Sequence, residues 1–171
     1  MSIRKQKRFL SLYEPVHERF ERFCRARVYG KMEFRDLMND TLLIAFQKLS
    51  TLKSEQAFLS FLCGISIRLL ANHRKKKRPF IPLDNKDIQN VPSQFRSDRD
   101  AEIHLLYEAL AKLPEAQKES IILFEITGFS IKEIAHLHQV SESAVRQRLV
   151  RGRKKLARLL VVEPLAKTKK D

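Results

Sequence analysis

Apolar side chains recur every three or four residues along most of this chain, which is the period of an amphipathic helix. In the N-terminal half, one stripe runs from Tyr13 to Val28, a second from Phe34 to Leu49 and a third from Phe58 to Leu70. Gly30 follows the first stripe and Pro79 follows the third, and both residue types commonly end helices. The pattern predicts three helices that pack through their aromatic and aliphatic faces.

The same period returns in the C-terminal half after a break. One predicted helix covers Ile103 to Leu113, and Pro114 suits the first turn of the next helix. That next helix carries apolar residues from Ile121 to Ile126, and Gly128 ends it. The chain therefore predicts a second helical unit after the first.

The stretch from Ser130 to Leu160 has the pattern of a helix-turn-helix. Ser130 stands three residues before Glu133, as in a capping box, and Ser141 can cap the second helix. The inward faces are predicted to be Ile134, Ala135 and Leu137 in the first helix, and Val145, Leu149, Leu156 and Leu160 in the second. The opposite face of the second helix carries donors suited to base edges in the major groove: Arg146, Gln147 and Arg151.

Between the two halves the periodicity stops. Residues 79–100 contain three prolines and scattered polar residues, which indicates a linker. The chain has 4 glycines and no alternating β-branched runs. We therefore predict an all-α protein with two small helical domains joined by a flexible linker. The predicted parts are residues 9–78, the linker 79–100, the helix-turn-helix domain 101–162 and a basic tail 163–171.

Charge and composition narrow the possible functions. The chain has 34 basic and 20 acidic residues, a net charge of +14, which favours nucleic acid or an anionic membrane surface as partner. No apolar run approaches the roughly 20 residues needed to span a bilayer. No secretory signal is evident, and Cys24 and Cys63 fit helical apolar patterns, as expected of buried thiols in a reducing cytoplasm.

The residues that carry catalytic chemistry form no recognisable constellation. The 5 histidines have no carboxylates or cysteines at metal-ligand spacing, and no glycine-rich phosphate loop occurs. We therefore expect no cofactor, no metal and no enzymatic activity.

Five segments of the chain resemble those of one family of bacterial proteins. Leu113–Glu115, Ser130–Ala135 and Arg148–Leu156 match, in order and spacing, the domain of sigma factors that binds the upstream promoter element. Glu33–Phe46 is similar to the family's helix that binds the clamp of the largest polymerase subunit. Phe58–Leu62, followed by a helix and a basic run, resembles the segment that opens the promoter. The resemblance is to the sigma-70 superfamily, in particular to the extracytoplasmic-function (ECF) type.

This resemblance implies a sigma factor that confers promoter recognition and strand opening on bacterial RNA polymerase during transcription initiation. The implied partners are polymerase core, promoter DNA as duplex and as single strand, and an anti-sigma factor. The alternative is a conventional helix-turn-helix regulator that binds DNA without being a polymerase subunit. Dependence of the activity on polymerase separates the two.

The resemblance also assigns candidate residues to three surfaces. Those expected to face the upstream element are Lys132, Ser141, Ser143, Arg146, Gln147, Arg148 and Arg151. Those expected to face the opened downstream element, where the family's loop at Lys53–Gln56 holds a flipped base, are Lys53, Ser54, Arg68, Asn72, His73, Arg74, Lys75 and Lys76. Those expected to face polymerase are Asp36, Leu37, Asn39, Asp40 and Leu43. For each, the alternative is a contact to phosphate only, or a solvated side chain.

Several positions depart from the family pattern, and three of them bear most on DNA binding. Gln139 stands where the family often has a glycine in the turn, and a left-handed glutamine costs about 1 kcal/mol. A rearranged turn is the alternative. Glu142 brings an acid to the tip of the recognition helix. Its negative charge can interact favourably with the positive N-terminal end of the helix dipole, or its carboxylate can accept a hydrogen bond from the amino group of a cytosine. Arg68 replaces an asparagine of the family. These changes leave the promoter sequence open.

Overall fold

A computed structural model describes residues 2–76 and 98–167, with side chains up to residue 161. Throughout these ranges the regular structure is helical, which confirms the all-α prediction. Most of the predicted linker, the end of the basic run at Lys77 and Arg78, and the last four residues lie outside the described residues. The α-helices are α1 (Ile3–Tyr13), α2 (His17–Val28), α3 (Phe34–Gln47), α4 (Phe58–Lys75), α5 (Asp98–Ala111), α6 (Glu115–Ile121), α7 (Ile131–His138) and α8 (Glu142–Lys167).

Shorter turns join several of these helices. Single 3₁₀ turns cover Glu14–Val16, Leu49–Thr51 and Glu55–Ala57. A π-helical turn, Ile122–Ile126, continues α6. The described chain groups into two compact units, residues 2–25 with 33–76, and residues 26–32 with 98–167. The domain boundaries predicted from the sequence stay a prediction.

The first unit is built around aromatic and aliphatic side chains of α1 to α4. Phe20, Leu37 and Leu62 are fully or almost fully buried. Phe9 packs edge-on against Phe46 and Phe58, with ring centroids 5.5 and 5.6 Å apart. These contacts hold α1, which the sequence pattern did not predict as a separate helix, to the end of α3 and the start of α4.

Hydroxyl and thiol side chains are also buried in this core. The buried hydroxyls of Thr41 and Ser66 share a hydrogen bond of 2.9 Å between α3 and α4. Cys24 and Cys63 are both buried thiols, as the sequence predicted. Burial raises the pKa of the Cys24 thiol, so it behaves as a small apolar side chain.

In the second unit the helix-turn-helix packs on α5 and α6. Leu110, Ile122, Ile134 and Val145 are buried there. Gly152 lies where α8 passes over α6, and a Cβ atom at that position would lie 2.6 Å from Cδ1 of Ile121. The glycine therefore permits the close approach of the two helices.

A buried charge cluster lies at the start of α6 in the same unit. Nη2 of Arg27 lies 2.8 Å from Oε2 of Glu115, and its Nε donates to Oε2 of Glu119 over 2.8 Å. Nε2 of His138, at the end of α7, lies 2.7 Å from Oε1 of Glu119. Burial raises the pKa of Glu119, but His138 and Arg27 outweigh it and hold that pKa below its usual value. Buried charges persist only when they are paired in this way.

Candidate nucleic-acid interface

Both helices of the helix-turn-helix begin at the capping residues predicted from the sequence. The hydroxyl of Ser130 accepts a hydrogen bond from the backbone N–H of Glu133 over 3.1 Å and donates to the Glu133 carboxylate over 3.1 Å. The hydroxyl of Ser141 accepts from the backbone N–H of Ala144 over 3.1 Å. The caps fix where each helix starts, and so which side chains of α8 face outward.

The turn between the helices keeps the left-handed geometry that a glycine would favour. Gln139 has φ 53° and ψ 46°, so the rearranged turn does not occur. Its backbone N–H donates to the carbonyl of His136, and the N–H of Val140 donates to the carbonyl of Ala135. These two bonds satisfy carbonyls at the end of α7 and offset strain of about 1 kcal/mol.

The outer face of α8 presents the polar side chains proposed for base readout. Arg146, Gln147 and Arg151 are exposed, whereas Val145 and Leu149 are buried on the opposite side. Ser141, Ser143 and, at the start of α7, Lys132 are also exposed. The seven upstream candidates therefore include six exposed side chains.

Arg148 differs from the other six. It is half-buried, and its Nη1 lies 3.4 Å from Nδ1 of His138 at the end of α7. Part of its guanidinium is therefore engaged with the turn. Further along α8, Arg153 pairs with Glu125 over 2.6 Å and lies above the ring of Phe124.

In the first unit, the candidates for the opened strand lie on an exposed loop and along α4. Lys53 and Ser54 are exposed before the Glu55–Ala57 turn, and the Ser54 hydroxyl donates to Oε1 of Gln56 over 2.8 Å. The α4 candidates are all exposed: Arg68, Asn72, His73, Arg74, Lys75 and Lys76. Spacings of three and four residues place Arg68, Asn72 and Lys75 along one side of the helix.

Four of the five polymerase candidates form an exposed stripe on α3. Asp36, Asn39, Asp40 and Leu43 are exposed, and Leu43 leaves 59% of its surface open. Leu37 is only 2% exposed because it packs into the core, so it is not part of this surface. The sequence pattern placed Leu37 in the apolar stripe of α3 and the family resemblance placed it in the polymerase set.

Among the described residues, no group of three or more His, Cys, Asp or Glu side chains is placed to hold a metal ion. No helix there is long and apolar enough to cross a membrane. The buried cluster of Arg27, Glu119 and His138 was not predicted from the sequence, because its charged residues are far apart along the chain and form no local motif.

Comparisons with known proteins agree with this arrangement. The family described as Sigma-70, region 4 matches residues 103–156. The ECF RNA polymerase sigma factor SigF of Caulobacter vibrioides is 31% identical over 127 residues, which cover 73% of this chain and 69% of that protein. SigM of Mycobacterium tuberculosis, also named an ECF RNA polymerase sigma factor, is 27% identical over 157 residues, which cover 89% of this chain and 76% of that protein.

Two solved structures share the fold. CnrH, in complex with the cytosolic domain of CnrY, gives a TM-score of 0.68 at 24% identity and covers 91% of this chain and 88% of that one. RpoE of Bartonella quintana, in complex with the anti-sigma factor NepR, gives a TM-score of 0.70 at 23% identity. The match covers 94% of this chain and 99% of that one.

The match to the Sigma-70, region 4 family over the helix-turn-helix, together with the similarity to SigF, shows a sigma-70-type transcription factor. The similarity to SigF places the chain in a narrower group: it belongs to the ECF sigma factors of RNA polymerase. This membership favours the sigma-factor interpretation over the conventional regulator.

Proposed function

We propose that this ECF sigma factor directs polymerase core to a two-part promoter and helps to open it. The observation that carries the proposal is the outer face of α8, where Arg146, Gln147 and Arg151 are exposed opposite the buried Val145 and Leu149. A helix with this face fits the major groove, because arginine can bond guanine with two hydrogen bonds and glutamine can bond adenine in the same way.

The upstream duplex is the proposed ligand of the second unit. Arg146 and Gln147 lie in the first turns of α8, where a recognition helix contacts base edges. Lys132 stands in the first turn of α7, where the free backbone amides and the helix dipole favour a phosphate. Arg151 follows one turn later as a further candidate for base readout, and Lys154, two turns later, supplies a cation for the DNA backbone.

The acidic stripe of α3 is the proposed contact with the polymerase clamp. Asp36 and Asp40 are exposed and one turn apart, with Asn39 and Leu43 beside them. A surface that combines two acids with an exposed leucine suits a protein partner that offers cations around an apolar patch.

The opened strand is the proposed ligand of the Lys53–Gln56 loop and of α4. A flipped base costs a few kcal/mol to unstack, and polar loop side chains can offset part of that cost. Arg68, Asn72 and Lys75 then lie along α4 for the strand's phosphates.

An anti-sigma factor is the proposed regulator. The solved RpoE of Bartonella quintana, which shares the fold, is bound to the anti-sigma factor NepR. Because the proposed work is done on polymerase, we place the protein in the cytoplasm. The exposed α3 stripe is the surface that such a regulator would cover in order to prevent polymerase binding.

Runoff transcription tests the proposed function. Purified core is combined with a genomic template library, with and without this protein, and the 5′ ends of the transcripts are sequenced. We expect new start sites that share one upstream and one downstream element at fixed spacing. A transcript population unchanged by the protein would contradict the proposal. The Arg146→Ala variant serves as the matched control, because it should select the same downstream element but lose preference upstream.

A further inference from the structure

Helix α1 carries a concentration of positive charge that the proposed function does not use. Its eleven residues include Arg4, Lys5, Lys7 and Arg8 and no acidic residue. Arg4, Lys7, Arg8 and Ser11 are exposed, and each lies three or four residues from two of the others, so they form one stripe along the helix. We call these four residues the α1 stripe.

The α1 stripe is held in place by the core on the other side of the helix. Phe9 is only 8% exposed and packs edge-on against Phe46 at the end of α3 and Phe58 at the start of α4. The segment between those two rings contains the Lys53–Gln56 loop. The packing of Phe9 therefore fixes α1 beside that loop.

A direct contact joins the stripe to the loop. Nε of Arg8 lies 3.6 Å from Oε1 of Glu55, and both side chains are about half exposed or more. An exposed ion pair of this kind is weak, so a phosphate can compete for the arginine. Arg4 and Lys7 extend the positive charge away from the loop along the helix.

Apolar surface lies next to this charge. Ile3 and Leu10 are 69% and 54% exposed, and their spacing of seven residues puts them on one side of α1, beside Lys7. Unstacked bases need an apolar surface while their phosphates need cations, and proteins that bind single strands combine the two.

We propose that α1 is a further binding surface for the opened promoter strand, on which Arg4 and Lys7 contact phosphates of nucleotides next to those held by the Lys53–Gln56 loop. The inference rests on the proposed function, because it requires that this loop meets the strand. A basic helix with exposed apolar residues can also bind an anionic membrane surface. Adjacency to the loop favours the single strand.

Fork-shaped templates test the inference on the complex of full-length protein with polymerase core. Each template has a duplex upstream element and a non-template single-stranded tail, lengthened in steps on its downstream side. The variant Arg4→Gln/Lys7→Gln is compared with wild type and with Arg22→Gln. Arg22 is an exposed arginine of α2 and serves as the matched control. Thermal unfolding of each variant checks that the fold is retained.

We expect wild type and the double variant to bind short-tailed forks with equal affinity, and the double variant to bind long-tailed forks with lower affinity than wild type. Each phosphate contact to a single strand contributes about −0.7 to the slope of log affinity against log salt, so the slope should become shallower by about 1.4. The advantage of wild type over the variant should therefore shrink about sevenfold between 50 and 200 mM salt. Arg22→Gln should match wild type throughout.

Other outcomes overturn specific parts of the account. If wild type binds long-tailed forks and the double variant binds them equally with the same salt slope, the α1 inference is wrong and the proposed function stands. If the double variant instead loses binding only to vesicles containing phosphatidylglycerol, α1 is a membrane surface. If wild type with core binds no fork, the proposed function fails, and the α1 inference fails with it.

Discussion

Nη2 of Arg146 lies 3.5 Å from Oε2 of Glu142, one turn earlier on the recognition helix. Both side chains are about half exposed, so the pair is weak in the free protein and arginine remains available to DNA. Glu142 also lies in the first turn of α8, where a negative charge is favoured by the helix dipole. The departure at Glu142 therefore leaves Arg146 available to DNA.

If Arg146 reads a base, Arg146→Ala should weaken binding to the upstream duplex by roughly 1–3 kcal/mol and relax the preference at one base pair. Lys154→Ala should weaken binding to all sequences alike, since a phosphate contact carries no sequence information. Titration against a panel of single-base-pair variants of the site measures both effects. Equal losses across the panel for both variants would remove Arg146 from the readout surface.

Charge reversal at Asp36 and Asp40 should lower affinity for polymerase core. Both side chains are exposed, so the free energy of unfolding should change by no more than about 0.5 kcal/mol for each. Glu18→Lys, at an exposed acid of α2, is the net-charge control for each single reversal. Core binding is measured with labelled protein, and helix content by circular dichroism. Undiminished affinity in the double variant would count against the α3 stripe.

A double-mutant cycle tests the close approach of α8 to α6. In Gly152→Ala the new Cβ would lie 2.6 Å from Cδ1 of Ile121, and overpacking of this kind costs typically about 1–3 kcal/mol. The gain in helix propensity, about 1 kcal/mol, opposes that cost. Ile121→Val removes the clashing methyl group, so the double variant should be more stable than the sum of the single changes by about 0.5–3 kcal/mol.

Urea unfolding of the four proteins provides the measurement for this cycle. If the changes in unfolding free energy of the two single variants add strictly in the double variant, positions 152 and 121 do not interact sterically.

Acid should destabilise the second unit through Glu115. Burial raises the pKa of this carboxyl, but the hydrogen bond from Lys31, the charge of Arg27 and the hydrogen bond from Lys118 lower it to about 2. Because the unfolded chain binds the proton more readily, this stabilisation is present above the ordinary pKa of 4.5 and is lost as pH falls toward 2.

Unfolding free energies measured from pH 6 to pH 2 check this linkage. Glu115→Gln should be less stable than wild type at pH 6 and lose less stability on acidification. The control is Glu102→Gln, at an exposed acid of α5, which should follow wild type. Parallel curves for wild type and Glu115→Gln would contradict the assigned role.

The periodicity of apolar residues was sufficient to predict the helices that have long apolar stripes and strong caps. Ser130 and Ser141 cap where predicted, since capping is a local interaction between a side chain and the next backbone amides. Helix α1 was missed because Phe9 is its only buried residue, so no apolar stripe marks it. Gln139 could be interpreted in two ways, because about 1 kcal/mol of strain is within reach of ordinary packing.

Candidate surfaces were harder to predict than helices. The burial of Leu37 and the pairing of Arg148 with His138 depend on tertiary contacts that residue spacing does not contain. The same holds for the Arg27–Glu119 contact, which joins residues 92 positions apart. The exposed set of Arg146, Gln147 and Arg151 could be predicted, because one amphipathic helix defines both its buried and its open face.

The most direct test of the central claim is permanganate footprinting at a promoter identified by the runoff experiment, with protein alone, core alone and both together. Melting costs about 1–2 kcal/mol per stacked step, more than the described surfaces of one small protein readily offset. We predict that protein alone binds weakly and with steep salt dependence, and that unpaired thymines appear only with both components. Tight binding by the protein alone to one duplex site in physiological salt, with core adding neither affinity nor reactive thymines, would contradict the account.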